Sequence, residues 1–107
     1  MVRLIEVIKF YKEPKGKYVE IIAKASESCI IKEFLINGDF FMIPPEVIDQ
    51  LEEALKGLRI VNVDELIDRV SRLLANTRVV GLSKNKLIEL IRGVLSDIKS
   101  KCREHLK

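Results

Sequence analysis

Tryptophan is absent from this 107-residue chain, and aromatic residues of any kind make up only 6% of it. The core must therefore be built largely from Ile, Leu and Val. The single histidine, His105, stands third from the end, where a general base would have nothing to hold its geometry. Cysteine is almost as scarce, and Cys29 and Cys102 lie far apart in sequence without forming a C-x-x-C pair. With two distant cysteines and one histidine, a zinc site has too few soft ligands. Neither a G-x-x-x-x-G-K-[ST] nor a G-x-G-x-x-G run occurs, since the five glycines are scattered. No stretch approaches the ~20 apolar residues of a membrane span, and Met1-Val2-Arg3-Leu4 carries no apolar signal run. These absences predict a soluble, cytoplasmic chain without a catalytic site, a metal or a membrane contact, its thiols free in a reducing compartment.

What is present fits one folded unit. Apolar residues form 48% of the chain and charged residues 33%, the balance of a globular protein rather than a disordered one. The length predicts a single domain over residues 1–107. The net charge of +3 comes from 19 basic and 16 acidic residues of interspersed sign, too small an excess to indicate nucleic-acid binding by itself. The one local imbalance is Lys9, Lys12, Lys15 and Lys17 around Glu13, which reads as a solvated hairpin end or as a contact with an anion. Glu52-Glu53 and Asp64-Glu65 fall on exposed helical positions that need acids for solubility and for the helix dipole. Heavy use of Ile, Lys and Glu with a single glutamine, Gln50, leans towards a thermophilic source.

The first third reads as β. Residues 2–12 are rich in β-branched and aromatic types, but their alternation is imperfect, as expected of a strand covered on both sides for part of its length. Pro14, Lys15 and Gly16 supply a turn. From Lys17 to Ala25 the alternation is clean, with Val19, Ile21, Ala23 and Ala25 pointing one way. Ser26-Glu27-Ser28 turns the chain into a third strand over about residues 29–37, so residues 2–37 predict a three-stranded antiparallel meander. Asn37-Gly38-Asp39 is the strongest turn signal in the chain, after which Phe40-Phe41-Met42-Ile43 reads as a fourth short strand or as an apolar loop.

The rest reads as helix. Pro45 suits a first helical position and Gly57 stops that helix. A second spans about residues 63–75, with Asn62 as cap, and a third runs from Ser83 to about Cys102, followed by a tail expected to fray. Strands first and helices after predict an α+β fold, with a three- or four-stranded antiparallel sheet and three helices on one face.

Residues 34–41 combine a strand end, a glycine turn, an acid and two adjacent aromatics. Neighbouring Phe residues on extended backbone point to opposite sides, so one of Phe40 and Phe41 can enter the core while the other faces a partner. The alternative is that both pack under the first helix.

Here the sequence resembles a family. Ile36-Asn37-Gly38-Asp39-Phe40-Phe41, followed by Pro45-Glu46, Ile48, Leu51-Glu52, Leu55 and Gly57, is similar to the C-terminal accessory domain of lipoate–protein ligases. Upstream, Tyr11-Lys12, Pro14 and Gly16-Lys17 resemble the first hairpin of that family. The resemblance covers roughly residues 8–98. Departures are Asn37 before the glycine and the pair Pro44-Pro45 at the helix start. In the family this domain is fused behind a catalytic domain or, notably in archaea, made as a separate small subunit, and a start at Met1 just before the first strand matches the separate form. The family's fold is similar to iron–sulfur scaffold and sulfur-acceptor proteins.

The resemblance implies an accessory subunit without catalytic residues. The catalytic partner would hold ATP, Mg and lipoate, form lipoyl-AMP, and pass the lipoyl group to a lysine of an acceptor lipoyl domain. It also implies a partner contact at Gly38, Asp39, Phe40 and Phe41, with Gly16 and Lys17 reaching the partner or the nucleotide. Two other classes stay open on the sequence alone. A sulfur-acceptor or iron–sulfur assembly module would need an exposed, reactive Cys29 near a positive charge such as Lys32. A small RNA-binding domain fits the pI of about 8.9, but the strands lack an RNP-type aromatic pattern and the loops lack G-x-x-G.

Overall fold

Clean alternation from Val19 to Ala25 makes β2 (Tyr18–Ser26) the centre of an antiparallel sheet, between β1 (Leu4–Lys12) and β3 (Ile31–Gly38). The computed structural model describes residues 3–105, with side chains placed through residue 102. The register pairs Ile8 with Ile22 and Ile22 with Leu35, so the three strands run level across the sheet. Val19, Ile21, Ala23 and Ala25 are all buried, joined on the same face by Ile5, Val7, Ile31, Phe34 and Ile36. That face carries the helices. The α+β class and the meander are as the sequence implies.

The helices are α1 (Val47–Leu55), α2 (Val63–Leu74) and α3 (Lys84–His105). The starts of α2 and α3 each have a physical cause. Asn62 accepts the Asp64 N–H at 2.9 Å, and Ser83 Oγ accepts the Lys86 N–H at 3.0 Å, satisfying amides that a helix start leaves unpaired. α3 packs beneath β1 and β2, α1 beneath β3, and α2 fills the space between α1 and α3. Leu87, Ile91, Val94, Leu95 and Ile98 are wholly buried on α3, each burial stabilising by about 1.5–3 kcal/mol.

The segment after β3 departs from expectation. Phe41–Ile43 is a strand, β4, but it does not return along β3 as a hairpin. It pairs with β5 (Arg78–Val80), a strand that falls inside the loop expected between the second and third helices, and the two form a separate antiparallel ribbon. Gly38 is needed for close approach rather than for a turn. A Cβ there would strike the Tyr18 carbonyl oxygen and the Phe40 ring, the latter at 2.8 Å. Gly38→Ala is therefore expected to destabilise by about 1–3 kcal/mol in urea titration, as overpacked sites do. An unchanged midpoint would show that the strand ends can part without cost. α1 also begins later than Pro45 suggests, at Val47, and α3 extends beyond Cys102 to His105. His105 itself lies outside the residues whose side chains are described.

The expectation of free thiols fails. Cys29 and Cys102 form a disulfide, with Cα atoms 5.7 Å apart across a sequence separation of 73. α3 runs the length of the sheet and brings its last turns under the β2–β3 connection, where Cys29 sits with φ of 69°. Both residues are buried, as expected, but as a linked pair.

Candidate functional site

The residues picked out in the two separated sequence segments meet at one end of the molecule. The β1–β2 turn closes through Glu13, whose N–H donates to the Lys17 carbonyl at 2.7 Å, while Gly16 takes a positive φ of 136° and donates back to the Glu13 carbonyl at 3.2 Å. Asp39 fastens the end of β3 onto the start of β2. Its Oδ1 accepts the Tyr18 N–H at 2.6 Å, and its own N–H donates to the Tyr18 carbonyl at 3.3 Å. Gly38 and Asp39 are thus framework residues that set the position of Phe40 and Phe41.

Those two aromatics are divided between core and surface. Phe40 is 7% exposed and belongs to the core, whereas Phe41 is 54% exposed on the outer side of β4. Ile43 is exposed on the same side, as the alternation of a strand requires. Phe41 stands opposite Val80 in the ribbon, and the next residue, Gly81, is where the methylene stem of Lys17 lies, 3.1 Å from the place a Cβ would take. One connected surface therefore holds Phe41, Val80, Gly81 and Lys17. Lys17 has no ion-pair partner among the described residues.

Two further groups, invisible as candidates in the sequence, extend this end. Lys86 in the first turn of α3 holds its amine 4.9 Å from the centre of the Tyr11 ring and pairs with Glu89 at 3.4 Å. No acid occupies that first turn, so the positive end of the helix dipole and the nearby lysines reinforce one another. On the outer side of the sheet the Phe10 and Tyr18 rings stack with centroids 5.6 Å apart, and both are exposed. Their signal lies in the imperfect alternation of residues 2–12, a pattern that by itself suggests coverage on both faces. The structure leaves Leu4, Ile8 and Phe10 uncovered.

This arrangement can bind, with exposed apolar rings next to amines such as Lys17 that carry no built-in counter-charge. Among the described residues no three His, Cys, Asp or Glu side chains gather closely enough to hold a metal ion. Cys29, tied to Cys102, offers no thiol for sulfur carriage.

No protein-family model matches the sequence. A stretch of 37 residues is 43% identical to lipoate-protein ligase A subunit 2 of Thermoplasma acidophilum, covering 35% of this chain and 39% of that protein. The chain is similar to a lipoate–protein ligase subunit. Among solved structures, a chain from an archaeal lipoylation system of the same organism superposes with a TM-score of 0.67. That work describes a bi-partite lipoate protein ligase and its E2 lipoyl domain. The superposition covers 83% of this chain and 97% of that one at 22% identity, which shows a shared α+β fold. The matched stretch agrees with the resemblance to a lipoate–protein ligase subunit, and the superposition agrees with the fold. No helix among the described residues is long and apolar enough to cross a membrane.

Proposed function

We propose that this chain is the non-catalytic accessory subunit of a two-chain lipoate–protein ligase, required when the catalytic subunit activates lipoate with ATP to lipoyl-AMP. The observation that carries this reading is the exposure of Phe41 beside Lys17, on a rigid end held by Asp39 and Gly38. A ring that is bare in the isolated chain suits a partner surface, and a lysine without a counter-charge suits an acidic rim or a phosphate. Mg, ATP and lipoate are assigned to the catalytic chain on the resemblance to lipoate–protein ligases.

The physical task is protection and positioning. An acyl-adenylate hydrolyses in water, and as it forms the lipoate carboxylate attacks the α-phosphate of ATP while negative charge builds on the departing pyrophosphate, so the pocket must be closed and the charge met by fixed donors. A small domain docked over the pocket mouth does both, and its withdrawal admits the acceptor lysine of a lipoyl domain. The test is pyrophosphate release from the catalytic subunit with ATP and lipoate, with and without this chain. Release that depends on the chain is expected; an equal rate in its absence overturns the reading. No observation favours the sulfur-acceptor or RNA-binding alternatives.

A further inference from the structure

Helices cover one face of the β1-β2-β3 sheet, and nothing among the described residues covers the other. On that open face Ile8, Ile22 and Leu35 stand opposite one another, one from each strand. The next row towards the Lys17 end is Phe10, Glu20 and Asn37, with the Phe10–Tyr18 stack bridging to the hairpin end. Ile8 is 56% exposed and Phe10 59%, and Tyr18 and Leu35 are exposed as well. Side chains opposite one another in a sheet touch, so these form a continuous band rather than scattered residues. Contiguous exposed apolar patches, unlike single exposed residues, often mark interaction sites.

The band has the anatomy of the centre of an interface. On its far side runs the row Glu6, Lys24 and Glu33, where Lys24 pairs with Glu6 at 3.8 Å and Glu33 at 3.6 Å, giving a polar rim already matched in charge. Within the band Glu20 is half-buried and has no ion-pair partner among the described residues. A carboxylate enclosed there without a cation would be costly, so whatever covers the face brings one. β1 also carries apolar residues on both faces, the pattern of a strand buried on both sides, whereas this chain buries only one.

We infer that this sheet face is the main docking surface for the catalytic ligase chain, which meets it with a flat apolar patch and an Arg or Lys opposite Glu20. The inference rests on the accessory-subunit reading. Two arguments select this occupant. The face reaches the hairpin end at Tyr18, which follows Lys17 and whose backbone is bonded to Asp39, two residues before Phe41. A stable pair needs about 800 Å² per partner, more than Phe41 and its immediate neighbours supply, and the sheet face makes up the difference.

Calorimetric titration of Ile8→Glu, Leu35→Glu and Glu20→Lys into the catalytic chain tests this. All three side chains lie on the open face, so thermal unfolding should match the parent and serves as the folding control. Each variant is expected to bind at least about tenfold more weakly, a centrally placed contact being lost or opposed. Glu20→Lys keeps every apolar contact and reports the cation alone. If the parent binds and all three variants bind equally well, the surface is wrong while the accessory-subunit reading stands. If the parent binds no catalytic ligase chain, both fall. If light scattering shows the parent alone to be a dimer that Ile8→Glu dissociates, the occupant is a second copy and the inference is overturned.

Discussion

Cys29→Ala, or reduction of the intact chain, is expected to lower the free energy of unfolding by about 4 kcal/mol. The disulfide joins positions separated by 73 residues. Closing so long a loop removes conformational entropy from the unfolded chain, which the chain-entropy relation puts at about 4 kcal/mol, within a usual range of about 2–5. For a domain of this length that is a large share of the whole stability. The residue's backbone allows a finer test, because Cys29 takes φ of 69°, which costs a residue bearing a Cβ about 1 kcal/mol or more and glycine almost nothing. Cys29→Gly should therefore lose less than Cys29→Ala, and Cys102→Ala should match reduction. Urea titration with and without a dithiol reads all four. A parent chain whose midpoint ignores the reductant would mean that the cross-link contributes nothing. The surrounding fold argues that it contributes, since Cys29 also accepts the Ile60 N–H at 2.9 Å and so ties the turn to the segment leading into α2.

Some of this structure is plain in the sequence, and the rest is hidden for identifiable reasons. β2 is readable because its two faces differ along its whole length, and the helices because of their apolar stripes, with caps at Asn62 and Ser83 marking two of the starts. β5 is hidden because Arg78–Val80 is too short to show a period, and its partner strand lies far upstream. The disulfide is hidden because sequence distance says nothing of spatial distance once a 22-residue helix runs back along the sheet. Asn37-Gly38 misleads in the opposite way, since a strong local turn signal gives way to tertiary contact and the glycine serves Tyr18 and Phe40 instead. At the site, Gly16, Lys17, Asp39 and Phe41 are visible in sequence, but that they share one surface follows only from the pairing of β4 with β5 and from the Asp39 clip. Ile8, Phe10 and Leu35 pass for ordinary strand residues, for an exposed apolar side chain and a buried one look alike until the covering layer is known.

The adjacent phenylalanines separate folding from binding in one experiment. Phe40→Ala is expected to destabilise the chain by about 3–5 kcal/mol, because the ring is 7% exposed and its loss leaves a cavity next to Gly38 that backbone held by Asp39 cannot collapse into. Phe41→Ala removes a ring that is 54% exposed, so unfolding should shift by no more than about 0.5 kcal/mol, as for surface changes elsewhere. Binding to the catalytic ligase chain should reverse the order. Phe41→Ala is expected to cost about 2 kcal/mol of affinity, the loss typical of an anchoring aromatic. Phe40→Ala, measured where it is still folded, should cost much less. Denaturant titration and calorimetry on the two variants give four numbers, and the pattern matters more than any one of them. One ring lies in the core and the other on the surface, so equal stability losses would contradict this division. A Phe41→Ala chain that binds as tightly as the parent would remove the aromatic anchor and leave the interaction to the lysines and the sheet face.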